Sequence, residues 1–271
     1  MSTFSRDLIE RSGYAIEGYA GEYDRARPAP PAVVLDVMER YAGGRPALVV
    51  DLGTGTGLSA RAWAGRSERV IGVEANPAML AIARESTTDP GVTFVEGYAE
   101  ATGLGSGEAD IVTCAQAFHW MDPHVVLPEV ARLLRPGGVF AAYDYDQVPA
   151  IDARLDEAFA RVIDERWKAR ERLGIHAVTS TWPKSQHIDR LRESGLFAFA
   201  REVHCHAELV VDGRRLTALA DSLGGPGEIF EGQAPELDDA AQSLARLALE
   251  ELPEPRTGLL GYTIRLGIRP R

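Results

Sequence analysis

Asp51, Gly53, Gly55 and Gly57, in the run Asp51-Leu-Gly-Thr-Gly-Thr-Gly57, are the residues whose types and spacing first suggest chemistry. The apolar segment Ala47 to Val50 before them reads as a strand buried on both faces. Leu58 to Trp63 after them resumes at helical spacing, so the order is strand, tight glycine turn, helix. Glycine is required where the backbone takes positive φ or lies flush against a ligand. A dinucleotide site has the form G-x-G-x-x-G and lays a pyrophosphate on the helix N-terminus. Here the third glycine comes one residue early, and a carboxylate stands at the mouth of the turn. That carboxylate would repel a pyrophosphate and pair with an ammonium. The ligand this selects is a nucleoside carrying a cationic tail; the plain alternative is a glycine turn that binds nothing.

Several elements must position that turn. Arg69 to Val73 reads as a second strand closed by Glu74, which follows Asp51 at about the 20-residue interval where an acidic side chain meets a ribose. Asn76-Pro77 is a capped helix start, and Met79 in its first turn serves either the adenine or the core. Val92 to Glu96 is a third strand, Ala109 to Ala115 a fourth, and Val139 to Asp144 a fifth after the turn Arg135-Pro-Gly-Gly138. Gln116-Ala-Phe-His-Trp-Met-Asp122 follows the fourth strand, and in doubly wound folds ligands bind beyond the carboxyl ends of the strands.

With these residues in view, the chain resembles the class I S-adenosylmethionine-dependent methyltransferases, whose first motif has the D-x-G-x-G-x-G form of Asp51 to Gly57. The Arg-Pro-Gly-Gly turn before the fifth strand and the Phe118-His-Trp120 stretch are similar to the small-molecule branch of that family. The resemblance runs from about Tyr23 to Tyr145. It implies an α/β fold: a Rossmann-like seven-stranded sheet with helices on both faces and a helical lid inserted after the fifth strand. It implies S-adenosylmethionine as cofactor, held by Asp51, Gly53, Gly55, Glu74, Ala75, Met79, Tyr98, Ala99 and Gln116, with Tyr23 and Arg27 folding over the methionine tail. Tyr98 departs from the polar residue usual there, which gives the backbone amide of Ala99 the larger share in reading the adenine. His119 is the expected catalytic residue, facing the transferred methyl; a histidine merely hydrogen-bonded under the lid is the alternative.

Beyond Ile151 the pattern changes. Leu155, Phe159, Val162, Ile163 and Trp167 recur at three and four, the signature of an amphipathic helix. A short helix is expected over 186–194, and Phe199 to Val211 reads as a strand whose alternation places His204, His206 and Glu208 on one face. Those three, with His187, are a candidate ligand set for a divalent metal such as Zn or Fe. Such a metal would polarise a carbonyl for carbon methylation. The stretch from Trp182 through His206 is weakly similar to methyltransferases that alkylate 2-oxo acids at carbon. Packed or exposed histidines beside a surface Glu are the alternative.

At 271 residues the chain has room for one elaborated domain, read as an N-terminal arm (1–31), a cofactor-binding core (32–150), a helical lid (151–198) and late strands and helices (199–271). A net charge of −11 without a Lys/Arg cluster speaks against a nucleic-acid surface. No apolar run approaches the roughly 20 residues of a membrane span. Cys114 and Cys205 are isolated and read as thiols in a reducing compartment, so a cytoplasmic location and a small-molecule substrate are expected. The sequence does not read out an oligomeric state. Carbon, oxygen and nitrogen acceptors all stay open. So do a nicotinamide-dependent oxidoreductase, disfavoured by Asp51 and the glycine spacing, and a binding module without turnover.

Overall fold

The computed structural model describes residues 16, 18–174, 182–224, 230 and 232–271. Most of the N-terminal arm, including Tyr14, and His176 in the lid lie outside the described residues. The elements in chain order are α1 (Tyr19–Ala26), α2 (Ala32–Ala42), β1 (Leu48–Leu52), α3 (Leu58–Ala62), β2 (Arg69–Glu74), α4 (Pro77–Glu85), β3 (Val92–Glu96), β4 (Ala109–Ala115), α5 (Pro123–Leu133), β5 (Leu134–Tyr145), α6 (Ala153–Arg172), α7 (His187–Glu193), β6 (Phe199–Val211), α8 (Gly213–Ser222), α9 (Pro235–Glu251) and β7 (Arg256–Ile268).

The strands form one seven-stranded sheet in the order β3-β2-β1-β4-β5-β7-β6. The first five are parallel; β7 runs antiparallel between β5 and β6. The chain winds outward from β1 to β3 and then returns to the other side of β1, which makes the gap between β1 and β4 the topological switch point. Every residue of β1 is buried, as a central parallel strand requires. Successive side chains serve opposite layers: Leu48, Val50 and Leu52 pack with α5, whereas Val49 packs with α2 and α3.

Local capping sets the helices that follow the strands. The Asn76 side chain accepts the Ala78 amide at 2.9 Å and starts α4 with Pro77 in its first turn. Asp122 does the same for α5, accepting the His124 amide at 2.9 Å ahead of Pro123. The expected turn at Arg135-Pro-Gly-Gly138 is instead a bulged stretch within β5: the register slips between Ala109 and Ile111, and Gly137 takes φ +77°.

A cap covers the carboxyl edge of the sheet. Its long helix α6 is the insertion expected after the fifth strand, and Asp152 caps it by accepting the Arg154 and Leu155 amides, each at 3.1 Å. Phe159 and Val162 of α6 pack with Leu216 and Leu219 of α8 and with Leu244 and Ala248 of α9. The α8 and α9 helices come from a second insertion, between β6 and β7. Among the described residues no helix is long and apolar enough to cross a membrane.

Candidate active site

Two cavities lie at the carboxyl edge of the sheet. The first, of about 210 Å³, is lined by Gly53 and Gly55 of the glycine turn, Glu74 and Ala75 beyond β2, Met79 of α4, Tyr98 and Ala99 beyond β3, and Gln116 beyond β4. Tyr23 and Arg27 of the N-terminal segment also line it. The structure therefore brings together, on one cavity, every residue expected to hold a nucleoside except Asp51.

The turn is built for close approach. Gly55 takes φ +57°, and a Cβ added there would meet nothing within 4 Å. Gly57 takes φ +84°, and a Cβ there would lie 2.9 Å from the Phe94 ring. One glycine thus keeps the cavity open while the other lets the turn pack on the sheet. Glu74 ties the turn to β2, accepting the Gly55 amide at 2.8 Å with one oxygen and the Asn76 amide at 2.8 Å with the other. Burial pushes its carboxyl up, and the backbone amides oppose that shift.

Asp51 is placed differently from the expectation. It is fully buried and is not part of the cavity wall. Its carboxylate accepts the hydroxyls of Thr54 and Thr113, each at 2.6 Å, and of Ser59 at 3.1 Å. Three neutral donors from the turn, α3 and β4 thus occupy the oxygens that were expected to meet an ammonium. Burial raises its pKa to about 6 against those hydrogen bonds. Ser59 Oγ lies 2.6 Å from the hydroxyl of Tyr143, a further cavity residue, so the carboxylate reaches the wall through a hydroxyl chain.

Arg27 closes the first cavity from above. Its guanidinium donates to the Ser222 carbonyl of α8 at 2.7 Å and to the Tyr145 hydroxyl at the end of β5, and it lies 4.7 Å over the Tyr23 ring. Tyr19 donates to the same Ser222 carbonyl at 3.1 Å, so α1 is fastened to the cap.

The second cavity, of about 460 Å³, adjoins the first and shares Trp120 and Tyr145 with it. His119 lines it, with Asp144, Trp167, Arg170, Trp182, Lys184 and Arg265 among the other walls. Burial, reinforced by the charges of Lys184 and Arg27, holds His119 well below the ordinary histidine range, so its ring is neutral. Among the described residues its Nδ1 has no hydrogen-bond partner. Asp144 is buried and shared by two cations, Lys184 Nζ at 2.6 Å and Arg265 at 2.9 Å.

The proposed metal ligands are not brought together. His187 is buried on α7, its ring 4.7 Å from that of Phe118 and its Nδ1 2.8 Å from Arg190. Burial and the neighbouring cations push its pKa down to about 3. His204, His206 and Glu208 do share one face of β6, but that face is exposed. His204 turns to Glu202 at 3.1 Å and Thr263 at 3.2 Å. Alternate strand residues stand about 7 Å apart, which spreads three of them over too great a length for one ion. Among the described residues, no three His, Cys, Asp or Glu side chains are grouped to hold a metal.

Sequence reasoning missed Tyr143, Asp144 and Tyr145 as site residues, although they lie at the carboxyl end of a strand next to the switch point, where the positional rule applies. Lys184 and Arg265 carried no local signal, and Trp167 read only as part of an amphipathic helix.

The strand order, the glycine turn at the switch point and the acid closing β2 define the fold of the class I S-adenosylmethionine-dependent methyltransferases. Residues 50–142 match the family model described as a methyltransferase domain. The chain is similar to an uncharacterized methyltransferase of Mycobacterium tuberculosis, 38% identical over 138 residues, which is 51% of this chain and 53% of that protein. A methyltransferase of Synechocystis, also uncharacterized, is 36% identical over 99 residues, 35% of this chain and 46% of that one. The chain spans about half the length of the curated relatives it matches. A solved structure from Anaeromyxobacter dehalogenans, assigned as a type II methyltransferase, superposes with a TM-score of 0.63 at 25% identity, over 90% of this chain and 99% of that one.

Proposed function

We propose that this protein is an S-adenosylmethionine-dependent methyltransferase whose acceptor is a small molecule held in the second cavity. The observation that carries this reading is the meeting of the two cavities at Trp120 and Tyr145, beyond β4 and β5. One side offers a glycine cradle with a carboxylate beside it; the other offers a cleft against His119.

The first cavity fits the cofactor. The Gly55 position is open, and Thr56 Oγ1 is a buried wall atom without a hydrogen-bond partner among the described residues. Glu74 would take the ribose hydroxyls, Tyr98 and Ala99 the adenine side, and Tyr23, Arg27 and Gln116 the methionine tail, with Ala75 and Met79 as apolar walls. The cofactor supplies a methyl group on a sulfonium, so its leaving group needs no proton. The work left to the protein is alignment and exclusion of water. Arg27 and Tyr145 do this by holding α1 and the cap over the junction. His119, neutral and lining the acceptor space, can take a proton at a ring nitrogen from an acceptor that must lose one. Because the four candidate metal ligands do not converge, the geometry favours transfer that needs no metal held by them over metal-assisted carbon methylation of a 2-oxo acid.

Calorimetry with S-adenosylhomocysteine and NADH is the first test, and release of S-adenosylhomocysteine in the presence of a metabolite panel is the second. Heat with NADH alone would overturn the assignment. Binding of S-adenosylhomocysteine without turnover of any acceptor would reduce it to a binding module.

A further inference from the structure

The second cavity has a composition unlike the rest of the chain. The sequence has four tryptophans, and three of them, Trp120, Trp167 and Trp182, line this one space; the fourth, Trp63, is sealed in the core. Flat apolar walls of this kind suit a planar or hydrophobic ligand.

Its charge also runs against that of the protein. The chain carries 40 acidic and 29 basic residues, yet the cavity is lined by three cations, Lys184, Arg170 and Arg265, and two carboxylates, Asp144 and Asp146. Asp144 is divided between Lys184 and Arg265, Arg265 is also held by Glu202 at 2.8 Å, and Asp146 is exposed, so Lys184 is the cation on which the recognition turns. Lys184 lines the cavity and is only part-buried, and its ammonium holds Asp144 at 2.6 Å and Gln116 Oε1 at 2.7 Å. An ammonium has three donors, and these two partners account for two of them. The buried Nδ1 of His119 has no partner among the described residues. A neutral imidazole can present its N–H there to an oxygen acceptor.

We propose that the acceptor is a flat, largely apolar molecule carrying a carboxylate, with Lys184 as its counter-ion and the tryptophans as its walls. This rests on the methyltransferase reading above and narrows it to one substrate class. An amine of the same shape would meet the cations of the cavity and be repelled; a neutral amide would leave the third donor of Lys184 without an anion.

The test uses the whole protein, first titrated with S-adenosylhomocysteine by calorimetry and then saturated with it. Indole-3-acetate, indole-3-acetamide and tryptamine are added in turn, and binding is read by calorimetry. The acid should bind about tenfold more tightly than the amide and more tightly still than the amine. Lys184→Met should remove most of the acid's advantage and leave amide binding nearly unchanged, while Lys184→Arg retains it. Equal affinities for acid and amide in the unaltered protein, tighter binding of the amine, or no binding of the acid would overturn the proposal, and none of these comparisons depends on a variant folding. Failure of the first titration counts against the methyltransferase reading instead, since the acid preference can be measured without the nucleoside.

Discussion

Gln116 accepts a hydrogen bond from Lys184 Nζ at 2.7 Å, which joins the wall of the first cavity to the wall of the second. The two residues come from the end of β4 and from the segment before α7. Gln116 also holds the left-handed conformation at φ 51°, the one non-glycine residue at positive φ among the described residues. A side chain there costs about 1 kcal/mol or more in backbone strain. Gln116→Gly should therefore be more stable than Gln116→Ala by about 1 kcal/mol in denaturant titration. Both variants should raise the KM for the acceptor, because Lys184 loses one of the two bonds that aim it.

The two glycines of the turn should separate binding from stability. Gly57→Ala drives a methyl group into Phe94 and should cost about 2–4 kcal/mol in stability, read as a lowered denaturant midpoint. Gly55→Ala points its methyl into open cavity space, so its stability loss should stay near 1 kcal/mol. Its affinity for S-adenosylhomocysteine should fall by about tenfold or more, as a ligand pressed against the turn meets the added carbon.

Asp51 makes a pH-dependent contribution of known sign. Its folded-state pKa of about 6 lies above its ordinary value of 3.8, so between those values the folded chain holds a proton that the unfolded chain has released. The group therefore destabilises the fold progressively as pH rises from about 4 to about 6. Asp51→Asn cannot titrate. The stability of the variant minus that of the parent should rise by about 3 kcal/mol between pH 3.5 and pH 7. A difference that stays flat across this interval would show that the carboxylate is better solvated or better bonded than its burial implies.

His119 should show no ionisation of its own near neutrality, because burial and the adjacent cations hold its pKa far down. The dependence of kcat on pH between 6 and 8 should lack an inflection at the usual histidine value. His119→Phe should lower kcat by about a hundredfold if the acceptor must lose a proton, with S-adenosylhomocysteine affinity unchanged.

The exposed face of β6 should be dispensable for turnover. His204→Ala combined with His206→Ala should leave kcat/KM within about twofold of the parent, since rim substitutions of this kind touch neither cavity. A chelator should not lower activity by way of these two residues.

The sequence by itself determined the elements whose causes are local. The apolar run ahead of Asp51, the glycines that follow, the Asn76-Pro77 helix start and the alternation along Phe199–Val211 all reflect backbone hydrogen bonding and side-chain periodicity within a few residues. Glu74 was legible too, because a parallel neighbour strand in register fixes where its end falls relative to the turn.

Tertiary packing alone decided the rest. Asp51 stands at the foreseen place, but hydroxyls from α3 and β4 turn it inward, and such donors lie 8 and 62 residues away in sequence. His187 was grouped with His204 and His206 by residue type, whereas its helix lays it against Phe118. Trp120, Trp167 and Trp182 belong to three separate segments that meet only because the cap folds over the sheet edge. Local spacing encodes which face a side chain takes; the distance between elements is set by how their buried faces interlock, and no short stretch of sequence contains that information.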